Sequence, residues 1–203
     1  MIKTILFSTL LLIITPVAYT QTTILCLGDS LTAGYGLDKE QAYPALLADE
    51  LKTEGDFKVI NAGVSGNTSA GGLRRMDWYF KSKIDILILA LGANDGLRGL
   101  KTEATKDNLQ KIITKAKNHN PKIKIIIAGM KVPPNMGKEY SQSFEKIFPE
   151  IAKENNCLLI PFLLENVGGV DEMNLPDGIH PNATGQKELS KNILKILRPV
   201  IKK

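Results

Sequence analysis

Five short, almost uninterrupted apolar runs punctuate the chain: TILCLG from Thr23, FKVINAG from Phe57, IDILILALG from Ile84, IKIIIAG from Ile123 and CLLIPF from Cys157. Their β-branched content and lack of polar alternation predict strands covered on both faces. Longer segments with helical spacing lie between them. YPALLADELK carries Pro44 where a first-turn proline belongs. GGLRRMDWYFKS follows the second strand. TEATKDNLQKIITKAKN places Leu109, Ile112 and Ile113 on one side, with Thr102 or Thr105 as possible caps. SQSFEKIFPEIAKENN contains Pro149, which predicts a kink or a break. TGQKELSKNILKILRP closes the series, with Leu189, Ile193, Leu194 and Leu197 on one side. Strand and helix in alternation mean an α/β fold: a parallel sheet with helices on both faces and right-handed crossovers.

The 203 residues are 43% hydrophobic and 23% charged, enough for a single core and one domain. No internal repeat or low-complexity tract is visible. The net charge of +5 could suit nucleic acid or an anionic surface, but the lysines alternate with Glu and Asp as on a solvated helix face. No dense basic block with interleaved aromatics occurs, so no nucleic-acid partner is expected. The first twenty residues differ from the rest. Lys3, an apolar run from Ile5 to Ile14, then Pro16 and Ala18 describe a secretory signal peptide over 1–20, with the mature domain over 21–203. The run is short for a bilayer span, so stable membrane insertion after cleavage is not expected; an uncleaved anchor is the alternative. Export makes a disulfide between Cys26 and Cys157 conceivable, although both lie in apolar runs where a free Cys is a common small core residue.

Ligands of open parallel sheets bind beyond the carboxyl ends of the strands. The first strand is followed there by Gly28-Asp29-Ser30, the second by NAGVSGNTSAGG, the third by GANDGLRG, and the segment before the last helix is LPDGIHPNATG. A serine hydroxyl needs an adjacent base to act as a nucleophile. Of the two histidines, His119 sits at the polar end of a helix and reads as an exposed residue that favours the helix dipole. His180 lies in the LPDGIHPNATG turn and is the base almost by elimination. Asp177 stands three residues earlier with Gly178 between, so one loop can carry base and orienting acid. An oxyanion would find donors in the Ser30 N–H, the Gly66 N–H and the Asn94 amide. Each residue alone fits ordinary turn chemistry, Asp177 and His180 included. Gly-Asp-Ser by itself would occur by chance in roughly one chain in twenty of this size. Four matching loops in order carry more weight. Asp29 reads as a turn brace rather than a proton carrier.

These blocks resemble the SGNH, or GDSL, hydrolase family: Ser30 in GDSLTAGYG, Gly66 in GVSGNTSAGG, Asn94 in GANDGLRG, and Asp177 with His180 in DGIHP. The likeness extends over most of the mature chain and includes AYPALLADEL, VPPNMGKEY and DGIHPNATG. It implies a flavodoxin-like three-layer sandwich with strand order 2-1-3-4-5. That order separates the two cysteines by three strand steps of about 4.8 Å each, roughly 14 Å, beyond disulfide reach. The resemblance further implies no metal, and substrates that are small acyl esters or thioesters, among them aryl esters and lysophospholipids. No cofactor is expected, and a monomer is the expected state. Exported members suggest a periplasmic or secreted location. Leu31, Leu97, Val132, Pro133, Ile179 and Pro181, with Tyr140 and Phe144, are candidates for an acyl groove, although a core role suits Phe144 better. The segment VGGVDEMNLPDG departs from the family pattern in having little bulk, which leaves the groove rim open. Two alternatives stand beside this reading. One is a carbohydrate O-acetylesterase using the same site, the other a non-catalytic lipid-binding module on a hydrolase scaffold.

Overall fold

A computed structural model describes residues 21–201. The expected signal segment, 1–20, lies outside the described residues. The strands are β1 (Thr22–Gly28), β2 (Phe57–Gly63), β3 (Ile86–Ala90), β4 (Lys124–Ala128) and β5 (Leu158–Ile160), and the sheet order is β2-β1-β3-β4-β5. Every pairing is parallel. The helices are α1 (Ser30–Ala33), α2 (Tyr43–Leu51), α3 (Ser69–Tyr79), α4 (Ala93–Leu97), α5 (Thr102–His119), α6 (Lys138–Glu154) and α7 (Ala183–Ile201). α2 packs with α7 on one face, while α3, α5 and α6 pack side by side on the other. The expected three-layer α/β architecture and strand order are those of the protein. β3 is buried at all five positions and the last five positions of β1 are buried too, which accounts for their unbroken apolar runs.

Two local expectations are revised. Of the kink or break expected at Pro149, the break does not occur: α6 is one helix from Lys138 to Glu154. The proline is exposed, so the carbonyl that loses its helical partner faces water, and Phe144, Ile147, Phe148 and Ile151 hold the buried side together. Neither threonine caps α5. Lys101 takes the cap position without a side-chain bond, Thr102 is already helical, and Thr105 is buried with its hydroxyl donated to Asp95. α2 carries Pro44 in its first turn as expected, but its capping acceptor is distant in sequence. The Tyr43 N–H donates to Gln186 Oε1 on α7 at 2.8 Å, and the Gln186 amide donates to the Leu31 carbonyl at 3.1 Å. The two cysteines are free thiols, Cys26 buried on β1 and Cys157 partly exposed just before β5. Burial pushes the Cys26 thiol up to about 12.

The passage from β1 into α1 is the tightest part of the fold. A side chain at Gly28 would collide with Thr32, and one at Gly63, the residue paired with Gly28, would enter the Ala33 backbone. Both must lack a Cβ because α1 turns back across the ends of β1 and β2. Asp29 caps α1, its Oδ1 accepting from the Leu31 N–H at 3.0 Å, and Gly34 ends the helix with φ +75°. Asp29 is completely buried, and that burial pushes its carboxyl up to about 6.

Two outcomes are expected. Gly63→Ala overpacks the β2–α1 contact and lowers unfolding free energy by about 3 kcal/mol in urea titration. Asp29, with a folded value near 6 against about 3.9 unfolded, retains a proton in the folded state that the unfolded chain releases. Its contribution to stability is therefore complete below about pH 4 and declines as pH rises through about 6. Asp29→Asn flattens that decline, as read by urea midpoints across this range.

Candidate active site

All the strand-end loops singled out in the sequence meet at the carboxyl edge of the sheet. β1 ends on Gly28, Asp29 caps α1, and Ser30 opens that helix with only 8% of its surface exposed. His180 Nε2 lies 3.0 Å from Ser30 Oγ, a contact between residues 150 positions apart. His180 Nδ1 lies 2.7 Å from Asp177 Oδ2. An ionised carboxylate only accepts hydrogen bonds, so Nδ1 carries the proton and Nε2 turns its lone pair toward the serine hydroxyl.

The loop builds this geometry from its own backbone. Gly178 takes φ +67°, which brings the chain around so that Asp177 Oδ1 accepts from the N–H groups of Ile179 and His180, both at 2.9 Å. The Leu175 N–H donates to the His180 carbonyl at 2.7 Å, and Asn174 pairs with Pro181 as an isolated bridge. The His180 N–H, the His180 ring and the Ile179 N–H together hold the Asp177 carboxyl down to about 2, so it is charged throughout the neutral range. Asp177 is exposed, and its low value comes from these donors rather than from burial.

The three expected oxyanion donors lie on the loops that follow β1, β2 and β3. The Ser30 and Gly66 N–H groups have no acceptor among the described residues. Gly66 is exposed at φ +76° in a turn that the Asn67 N–H closes on the Val64 carbonyl. Asn94, the second residue of α4, donates one amide hydrogen to Asp29 Oδ2 at 3.3 Å, which fixes the orientation of the amide. The following residue, Asp95, is buried. It accepts from the Ser69 N–H and hydroxyl and from Thr105, tying the α4 turn to α3 and α5. Such a set can polarise a hydroxyl at one point and stabilise a developing negative charge beside it, which is the chemistry of acyl transfer. Among the described residues, no group of three or more His, Cys, Asp or Glu is arranged to hold a metal ion.

The acyl-groove candidates divide. Leu97, Pro133 and Ile179 are exposed at the site edge. Leu31, Val132 and Pro181 are buried, and Phe144 is part of the core. Leu31, Val132 and Pro181 thus offer little open surface of their own. His119 is exposed at the end of α5, with its ring stacked on Phe80 and Nε2 3.1 Å from the Ser82 carbonyl, far from these loops in the fold.

Three residues at the site were not found by sequence reasoning. Tyr35 lies against the His180 ring, centroids 4.3 Å apart. Arg75 on α3 donates to the Gly28 carbonyl at 2.7 Å and to Asn67 Oδ1 at 2.8 Å, joining the end of β1 to the Gly66 turn. Arg98 donates to the Gly66 carbonyl at 2.9 Å, joining that turn to α4. All three stand in blocks near the site residues, GDSLTAGYG, GGLRRMDWYFKS and GANDGLRG, but their partners belong to other elements, so nothing local signals the contacts.

Known proteins resemble this chain over most of its length. Esterase TesA of Pseudomonas aeruginosa is 39% identical over 181 residues, covering 88% of this chain and 89% of that protein. Thioesterase 1/protease 1/lysophospholipase L1 of Escherichia coli is 38% identical over 182 residues, covering 88% and 85%. The crystal structure of the psychrotrophic esterase EstA from Pseudoalteromonas, inhibited by monoethylphosphonate, superposes with a TM-score of 0.83 at 32% identity, covering 90% of this chain and all of that one. The GDSL-like lipase/acylhydrolase family matches residues 26–188, and the chain belongs to that family.

Proposed function

We propose that this protein is an exported serine esterase that hydrolyses carboxylic esters and thioesters of acyl groups through an acyl-enzyme on Ser30. The observation that carries the reading is the continuous relay from Asp177 through His180 to Ser30 Oγ, 2.7 and 3.0 Å long, beside two unspent backbone N–H groups and the Asn94 amide. In the first step His180 Nε2 takes the hydroxyl proton as Oγ attacks the carbonyl carbon. Asp177 holds the imidazole and offsets the positive charge that forms on it. The Ser30 and Gly66 N–H groups and the Asn94 amide receive the oxyanion. Collapse of the tetrahedral species expels the alcohol or thiol, which takes the proton from His180. Water then repeats the sequence in reverse and releases the acid. Asp29 has a positioning role, since its Oδ2 orients Asn94 and its Oδ1 caps the helix that presents Ser30.

The names of the relatives support esters, thioesters and lysophospholipids as the substrate classes. Export is supported by the charged start and apolar run of residues 1–20. No helix among the described residues is long and apolar enough to cross a membrane.

A phosphonate ester probe with an activated aryloxy leaving group is expected to label Ser30 covalently in the wild-type protein, expelling the phenolate, and to leave Ser30→Ala unlabelled; labelling of the variant sinks the mechanism. Asn94→Ala is expected to raise the barrier by about 3 kcal/mol, a loss of 10²–10³ in kcat with a small change in KM. On a panel of aryl esters, thioesters and lysophospholipids of increasing acyl length, activity should extend beyond acetyl; confinement to acetyl groups would favour a carbohydrate O-acetylesterase.

A further inference from the structure

We propose that the lobe formed by residues 97–101 and 130–138 is a docking surface for an anionic phospholipid bilayer, placed to bring membrane-held acyl lipids to Ser30. The first segment, LRGLK, begins at the last residue of α4, and the second, MKVPPNMGK, runs from just after β4 to the first residue of α6. The two are joined: the Tyr140 hydroxyl donates to the Leu100 carbonyl at 2.8 Å, and Gly99 lies against the Met136 methyl. Together they carry Arg98, Lys101, Lys131 and Lys138 and no carboxylate. All four cations are exposed. None forms an ion pair among the described residues, whereas Lys106, Lys115 and Arg198 all do. The nearest exposed carboxylates in sequence are Glu103 and Glu139, each the second residue of its helix, two positions after Lys101 and one after Lys138.

The same lobe exposes apolar surface. Leu97 and Leu100 are 43% and 41% exposed, and Pro133 and Pro134 are exposed beside them. Lys131 Nζ lies 4.8 Å from the Phe162 ring centre and Arg98 binds the Gly66 carbonyl, which leaves Lys101 and Lys138 as the cations without such a contact among the described residues. Exposed leucines among cations without carboxylate partners match the two requirements of an anionic lipid surface: apolar groups that enter the headgroup boundary, and positive charge that meets the phosphates. An acidic polypeptide would use the cations but gives no reason for the leucines to stay in water. The lobe is also continuous with the site. Arg98 holds the Gly66 carbonyl, and Gly96 lies close against Val132 at its base. Ile179 and Tyr35, 52% and 49% exposed around His180, extend the apolar rim past the serine. The stretch after β5, residues 161–177, bears Glu165, Asp171, Glu172 and Asp177 and no Lys or Arg. An anionic surface would attract the lobe and repel that stretch, so the molecule would meet the bilayer in one tilt with the lobe foremost.

The proposal rests on the acyl-ester reading for its purpose, but its test does not depend on turnover. Protein carrying Ser30→Ala is mixed with phosphatidylcholine vesicles with or without phosphatidylglycerol and sedimented. Binding is expected with the anionic vesicles only, and it should weaken as salt rises. The pair Lys101→Glu and Lys138→Glu should reduce that binding by at least about tenfold, since each basic residue near such a surface contributes roughly a fivefold factor. Leu100→Ser should reduce it at fixed salt. In the wild-type Ser30 background the paired lysine variant should hydrolyse a soluble aryl acetate at the normal rate and lose activity on a lysophospholipid held in anionic vesicles. Equal affinity for both vesicle types, or unchanged binding by the lysine pair, overturns the proposal. So does failure to sediment with either vesicle while polyglutamate is retained, an outcome that assigns the lobe to an acidic polypeptide. Phosphonate labelling of Ser30 without vesicle binding would remove the docking surface and leave the esterase reading intact; vesicle binding without labelling would do the reverse.

Discussion

The contact between His180 Nε2 and Ser30 Oγ, 3.0 Å across 150 residues of sequence, is the constraint around which this molecule is arranged. It requires the start of the chain to be central and its end to return there. β1 meets the first requirement by pairing with β2 on one side and β3 on the other, so that its carboxyl end lies between the loops that follow both neighbours. α7 meets the second. It packs on α2, and its Gln186 side chain accepts from the Tyr43 N–H and donates to the Leu31 carbonyl, fastening the helix after His180 to the turn after Ser30. Tyr35 against the imidazole adds a third tie between the same two regions.

Around that contact the polar groups are divided by environment. Asp177 is exposed, surrounded by N–H donors and held to about 2, which makes it a permanent anion facing His180. Asp29 is one residue from the nucleophile and completely buried, and its carboxyl is pushed up to about 6. The first is suited to offset an imidazolium. The second is suited to fixed hydrogen bonding, to Leu31 in one direction and Asn94 in the other. Arg75 and Arg98 complete the frame by donating to the carbonyls of Gly28 and Gly66. The loops that present the candidate oxyanion donors are thereby bonded to one another and not only to their own strands.

Much of this arrangement is legible in the sequence. The unbroken apolar runs around Leu25 and Ile88 announced strands buried on both faces, and the glycine-bounded loops after them announced where chemistry would lie. Where local rules failed, distant residues supplied the answer. Pro149 breaks no helix because its exposed face lets water take the orphaned carbonyl while Phe144 and Phe148 anchor the other face. Thr105 is no cap because the buried Asp95 needs its hydroxyl more than the helix end does. Leu31 and Val132 are acyl-groove candidates by family resemblance, and their burial follows from α1 and the turn after β4 packing against the core.

The sequence by itself determined the periodicities, and through them the five strands and the two-sided burial of the sheet. It also determined the residue types at each strand end: a serine after the first, a glycine turn after the second, an asparagine after the third, and an aspartate three residues before a histidine near the close. Those depend on chemistry and spacing within a single segment. Only the tertiary structure decided which groups touch. The assignment of Tyr35 to His180, Arg75 to Gly28, Arg98 to Gly66 and Gln186 to both Tyr43 and Leu31 depends on how twisted strands and crossovers bring separate segments within hydrogen-bond reach. The exposure of the LRGLK leucines belongs to the same class, because burial is a property of the whole packed chain and not of the residues that carry it.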